Sequence, residues 1–526
     1  MKYAFSFIST MLLLNSIYCQ VIIPGTYQDD YFRMVSTFSK NDNRPISIYP
    51  SILSNHHLDS LKYDIHSLLI QENPEKKSRF DLTDPILQTS YNTKYPSGFN
   101  DGPIWSGKGL NTALSLGFTG KTGILRYSLN PILLFSQNQP FKNVDGPYNK
   151  GPFQYPFENN IDWVLRYGNS SMFKMFPGQS EIRLVKNNFT IGLSTQNQKW
   201  GPSRINPIIM SNNAEGFPHL DIGTARPAKS KIGFIDFKSY WGLLNESKYF
   251  DNINNNNVRY ITGMSIGYRP IFLKALSIGI NRILYTNINF LDSPFSDAFA
   301  QFSAIFKEGD AKTFNGITTN DYFDQVASVF MRWTFIEEGF DVYIEYARND
   351  FAGGFGDFIT QPDHSRGFTA GFTKLIQFSP NKIMNISYEH TSLDTYKNTI
   401  VRATPTFYVH GIVKQGYTNN GQIIGASAGP GANTDFIDLT LTTSNAIFSF
   451  NYYRLRYNDD YFYSIIQQNS TSPQEIEHQL ILRATKKLPS MIIDFGMQIA
   501  FRKDWQYLED NVVNFRPSMN FIYLLK

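Results

Sequence analysis

Hydrophobic and polar residues alternate over long runs of this chain. Met491, Ile493, Phe495, Met497, Ile499 and Phe501 share one face of an extended segment, and Asp494, Gly496, Gln498 and Arg502 share the other. Ala327, Val329, Met331, Trp333 and Phe335 oppose Ser328, Arg332 and Thr334 in the same way, as do Leu480, Leu482 and Ala484 against Gln479, Arg483 and Thr485. A period of two is the signature of a β-strand with chemically different faces. From about Leu110 onward the pattern yields roughly sixteen to eighteen segments of about 10 residues, the length of a tilted membrane strand and enough to form a large barrel. The expected fold is therefore all-β: a large antiparallel transmembrane β-barrel of about 18 strands over residues 110–526.

The connections support this. Glu337-Glu338-Gly339, Ser379-Pro380-Asn381, Thr443-Ser444-Asn445 and Leu488-Pro489-Ser490 read as tight turns, and between them lie the long polar stretches 287–321, 349–366, 458–476 and 503–513. Short turns alternating with long loops is the pattern of an outer-membrane barrel. The alternation fails around 404–433 and is obscure across 161–230. A soluble sandwich or solenoid shares the period. Against it stand the absence of a sequence repeat and the rings near strand ends, such as Tyr452-Tyr453, Tyr461-Phe462-Tyr463, Phe521 and Tyr523, which suit aromatic girdles.

The N-terminal part differs. Lys2, the apolar stretch Tyr3 to Leu14 and the polar exit Asn15 to Cys19 read as a secretory signal peptide over 1–19, cleaved before Gln20. A lipoprotein reading of Cys19 is opposed by Tyr18, which stands where a small residue belongs. Residues 20–109 are expected to form an N-terminal periplasmic segment. Within it, Leu58, Leu61, Ile65 and Leu68 recur at helical spacing, so 51–73 is expected to be helical, stopped by Asn73-Pro74; the stretch 74–103 reads as linker and turn.

Composition narrows the function. The 526 residues carry 48 Lys+Arg against 44 Asp+Glu, and this near-balance excludes a basic nucleic-acid binder and an acidic disordered tail. Aromatic residues make up 15% of the chain, too many for a disordered one. Cys19 is the only cysteine, so an exported mature chain has no disulfide to stabilise it and relies on a large core or on a membrane.

Most motifs that resemble chemistry do not hold together. Gly425-Ala426-Ser427-Ala428-Gly429 matches G-x-S-x-G, but that motif needs a strand-to-helix turn, and here Pro430-Gly431-Ala432-Asn433 follows. The eight histidines are scattered, His56-His57 and His66 form no H-E-x-x-H, Asp459-Asp460 lacks the spacing of a calcium loop, and Asn254 to Asn257 reads as plain loop. No catalytic residue, metal site or cofactor is expected.

One segment stands apart: Trp200-Gly201-Pro202-Ser203-Arg204-Ile205-Asn206-Pro207, followed by Ser211-Asn212-Asn213-Ala214-Glu215-Gly216-Phe217-Pro218-His219. Its chemistry suits sugars. Trp200 offers a face for a ring's C–H side, Arg204 suits uronate or pyruvate groups, and Asn206, Asn212, Asn213 and His219 suit hydroxyls. The alternative is a loop folded into the barrel, whose Asn side chains satisfy its own backbone.

This segment closely resembles the W-G-P-x-R-x-N-P…S-N-N-A-x-G-F-P signature of the Wzi-type capsule-assembly family of Gram-negative outer-membrane proteins. Asn100-Asp101-Gly102-Pro103-Ile104-Trp105-Ser106-Gly107-Lys108-Gly109-Leu110-Asn111 resembles that family's segment leading into the first strand. The resemblance implies an eighteen-stranded barrel with a helical element on the periplasmic side. It also implies a non-catalytic, lectin-like role in holding capsular or extracellular polysaccharide at the cell surface. The partners expected are that polysaccharide, outer-membrane lipid and the capsule-export machinery. The terminal Leu524-Leu525-Lys526 departs from the aromatic ending usual in such barrels. The rival expectations are a passive porin or export channel of the same architecture and, more remotely, a hydrolase built on Ser427.

Overall fold

In a computed structural model the described residues are 29–30, 33–34, 37–38, 44–47, 80–143, 151–291, 294–303, 312–314, 317–319, 322–350, 359–395, 405–466 and 473–525. The expected signal segment and the expected helix over 51–73 lie outside them. A single antiparallel sheet dominates, and no described helix is long and apolar enough to cross a membrane.

Among the described residues the sheet has twenty-three strands, twelve long ones and eleven short ones, and the short ones occupy six further positions, so the wall has eighteen positions. The long strands begin at Gly233–Asn245 and Val258–Pro270 and end at Met491–Lys503 and Val512–Tyr523. The first position, Phe80–Leu82 with Ile86–Asn92, lies between the last and the second: Ile86 is opposite both Ile522 and Ser115. Strand order is therefore circular. The ladder is nonetheless interrupted on one side, where the chain kinks at Leu116-Gly117, Asn130-Pro131 and 177–180. Among the described residues Met172–Phe176 has a hydrogen-bonded strand on one edge only, so the described wall is not closed there.

The wall begins within the stretch 74–103 that reads as linker, about thirty residues before the expected start at Leu110. Ile86–Asn92 carries too many polar residues, Gln88, Thr89, Ser90 and Asn92, to stand out as a strand, yet in a barrel Gln88, Ser90 and Asn92 share the face toward the packed interior. The alternation of connections also holds where the pattern obscured it. The strands on either side of 195–218 and of 393–432 are neighbours in the sheet, and both stretches leave from the end that carries the other long loops.

Burial along the strands is inverted relative to a soluble protein. In Met491–Lys503, Phe495, Ile499 and Phe501 are exposed while Asp494, Gly496 and Gln498 are buried. Leu480 and Leu482, Val329 and Met331, and Phe448 and Phe450 repeat the pattern around the wall. An exposed apolar belt over a polar interior is what a lipid-facing barrel requires, because lipid cannot solvate polar side chains. Several rings expected in aromatic girdles are instead inside. Tyr453 is fully buried and faces the lumen, and Tyr461 and Phe462 pack with Tyr155, Phe157 and Tyr507 among the long loops.

Two layers fill the lumen. Toward the long loops, the connections 195–218 and 405–432 pack against each other and the wall. Their joint core contains Trp200, Ile208, Ile209, Met210, Phe217, Tyr408, Tyr417, Ile423 and Ile424, with Tyr240, Ile261, Ile283 and Tyr285 from the strands. Toward the tight turns lie the described residues of the N-terminal segment, helical at 29, 30, 33, 34 and 37. Arg33 donates to the carbonyls of Pro202 and Ser203, and Ser47 accepts from Gly201 N–H at 2.9 Å. Arg332 of the wall donates to Thr37 at 2.6 Å.

Candidate functional site

The signature segment is built for packing. Gly201 has φ +88, a left-handed conformation open to glycine, and a Cβ there would lie 2.9 Å from the Glu345 carboxylate of the wall. Trp200 before it is fully buried, with its ring edge-on to Tyr240 at 5.3 Å. No face of that ring is open to a sugar, so the expected stacking role is corrected: Trp200 fills the plug's core. Asn206 is likewise buried, donating to Tyr453 Oη at 3.0 Å and Thr434 Oγ1 at 3.2 Å. Asn212 donates to Asp29 at 3.2 Å, and His219 Nδ1 faces the Phe217 carbonyl at 2.7 Å. Arg204 forms a 2.6 Å ion pair with Asp438 of the wall, so its guanidinium already has a carboxylate. Of the six expected residues only Asn213, which donates to the Ile423 carbonyl at 2.9 Å, borders a cavity on the long-loop side. The physical cause is common to all of them. A loop that enters a barrel must satisfy its own backbone and side chains, so its Asn, Arg and His residues are engaged internally.

Beside this plug, at the long-loop end, lies a hollow of about 190 Å³. Three of the chain's six tryptophans border it: Trp105, Trp163 and Trp505. Trp505 packs between Phe141 and Tyr95, at ring-centroid distances of 6.3 and 5.4 Å, and Trp163 packs on Tyr155 at 4.3 Å. The charged wall comes from the ends of neighbouring strands. Arg502 pairs with Glu475 at 2.5 Å and with Glu477 at 3.6 Å, and its guanidinium lies 4.1 Å from the Tyr457 ring centroid. Glu477 also accepts from Tyr457 Oη at 2.8 Å and from Gln479 Nε2 at 2.7 Å. Burial pushes the Glu475 carboxyl above its usual range, against the opposing pull of Arg502. Four polar atoms of the lining are buried without a hydrogen-bond partner: Gln479 Oε1, an acceptor; Trp105 Nε1, a donor; and the hydroxyls of Tyr95 and Tyr155, which can do either.

Aromatic faces beside fixed hydrogen-bonding groups are a sugar-binding arrangement. Residue-by-residue reasoning missed it because its parts are spread from Tyr95 to Gln506. The one local signal was the segment Asn100 to Asn111, which places Asp101 and Trp105 in the lining.

These features agree with what comparison shows. The family model for capsule assembly protein Wzi matches residues 88–499. The chain belongs to that family. Among solved structures, the chain is similar to Wzi of Escherichia coli, an outer-membrane protein involved in group 1 capsule assembly and a carbohydrate-binding β-barrel. The two share 14% identity over 96% of this chain and 100% of that one, with a TM-score of 0.63. OprD of Pseudomonas aeruginosa has 9% identity over 87% of this chain and 100% of its own, at a TM-score of 0.38. OccAB3 of Acinetobacter baumannii has 9% identity over 85% and 98%, at 0.41. No curated protein matches the chain.

Two other groups bear on chemistry. Ser427 Oγ donates to Asn206 Oδ1 at 3.1 Å, an amide rather than a base, and the element that follows Gly429 is the strand Asn433–Thr443, not a helix. Ligand atoms of Asp324, Asp350 and His410 lie within 4.8 Å of one another. His410 Nδ1, however, accepts the Val413 N–H at 3.0 Å, so in the neutral ring Nε2 carries the proton. A metal at Nε2 would have to displace it.

Proposed function

We propose that this protein is an outer-membrane barrel that binds and holds capsular or related extracellular polysaccharide at the cell surface, without covalent chemistry. The observation that carries the reading is the tryptophan-lined hollow at the long-loop end of a barrel whose lumen is filled. Family membership supports it. Long loops face outward in barrels of this kind, so the hollow lies on the side where the polymer is. A repeating polymer held weakly at many sites dissociates slowly, because each rebinding occurs at high local concentration. The filled lumen argues against the passive-porin reading.

The test is a clean deletion, with polysaccharide measured both on cells and in the medium. Retention predicts unchanged total polymer, shifted to the medium. A fall in both fractions assigns the protein to an earlier step in export or assembly. No change in either removes the polysaccharide reading.

A further inference from the structure

We infer that the hollow at the long-loop end takes one uncharged, hydroxyl-rich sugar unit of the polymer and rejects a uronate at that position. The inference rests on the polysaccharide reading and adds the chemistry of the recognised unit.

The charge balance of the lining carries the argument. Asp101, Glu475 and Glu477 border the hollow, and Arg502 is the one basic residue among the described lining residues. Its guanidinium is already engaged by Glu475 and Glu477 and stacked over Tyr457. A sugar carboxylate would enter beside Glu475, Glu477 and the Arg516-paired Asp101, with no free cation among the described lining residues, in a setting where charge is poorly screened. A hydroxyl meets the opposite situation. It can donate to Gln479 Oε1 and accept from Trp105 Nε1, and it can do either with the hydroxyls of Tyr95 and Tyr155; all four are buried lining atoms that lack partners. A carboxylate has no hydrogen to give Gln479. The Trp163 ring, packed on Tyr155 and only half-buried, suits the C–H face of a pyranose, and a hollow of about 190 Å³ has room for one ring and not for several.

The full-length protein in detergent micelles provides the test, with tryptophan fluorescence as readout. The probes are methyl glucoside and methyl galactoside, with glucuronate and galacturonate as their charged counterparts. At least one neutral glycoside should change the fluorescence saturably, and the uronates should not. Gln479→Ala should weaken the neutral ligand roughly tenfold, the worth of one hydrogen bond to a buried acceptor. Replacing both of its carboxylate partners, Glu475→Gln with Glu477→Gln, should free the Arg502 guanidinium and admit a uronate, a gain that a misfolded variant does not produce. Uronate binding to the wild type as tight as that of the neutral glycosides overturns the inference. So does selectivity that survives in both variants. If no glycoside binds while the deletion strain still sheds polymer, the hollow assignment fails and the retention reading stands. If the deletion strain keeps its polymer, the retention reading itself fails.

Discussion

The carboxylate of Glu389, on the strand Lys382–Ser392, accepts the backbone N–H of Asn206 at 2.7 Å. The same oxygen accepts Ile205 N–H at 3.0 Å, and the other accepts Tyr343 Oη at 2.6 Å. One wall side chain therefore clamps the signature segment inside the barrel. Glu389→Leu leaves these buried donors unpaired and should destabilise the plug by about 3 kcal/mol. The wild type should be silent in planar bilayers, and Glu389→Leu should show intermittent conductance. A wild type that conducts steadily would restore the porin reading.

Trp200→Ala empties the centre of the plug's core. The cost should be about 3–5 kcal/mol, comparable to other large aromatic truncations. Thermal unfolding should show the loss, and Trp200→Phe should recover most of it. Polymer retention should fall only in proportion to the folded protein. A selective loss of polymer binding with unchanged stability would reinstate Trp200 as a stacking residue.

The long loops should be less stable at alkaline pH. Burial pushes Asp460 up to about 7, with Thr395 N–H and Oγ1 donating to one of its oxygens at 2.7 and 2.9 Å. Burial also pushes Glu246 up to about 7, opposed by the hydrogen bond from Gln415. Both folded values lie above those of an unfolded chain, near 4. The folded state therefore holds the extra protons, and the stability they contribute is complete below about pH 4 and is lost as pH rises through about 7. Melting temperatures from pH 5 to 8 should fall. Asp460→Asn should flatten the fall, and Glu246→Gln should flatten it further.

Leu482 is 53% exposed on the outer face, opposite Phe450 of the neighbouring strand. Leu482→Arg puts a charge against lipid and should cost about 2–4 kcal/mol if the site lies near the midplane. The folded, heat-modifiable band in outer-membrane fractions should diminish. An undiminished band would place this face outside the membrane.

The wall was legible because a barrel's faces alternate residue by residue, so Met491 to Phe501 reports its own environment. The alternation blurred at Ile86–Asn92, where polar residues occupy most positions of a strand whose inner face meets a packed lumen. The two interior connections were illegible for a different reason. A sequence shows that 195–218 and 393–432 are long, but not that 195–218 and 405–432 turn inward and pack on each other.

The candidate site divides along the same line. The sequence by itself determined the barrel, the alternation of turns and loops, and a signature whose residues suit sugars. Only the tertiary structure decided that this signature is engaged with the wall, through Trp200 in the core and Arg204 on Asp438. Only the tertiary structure, too, brought Trp105, Trp163, Gln479, Arg502 and Trp505 around one hollow. Periodicity is a local property, set by each residue's own neighbours along the chain. A binding hollow depends on contacts between residues hundreds of positions apart, and the residues left without partners are known only once every other partner is in place.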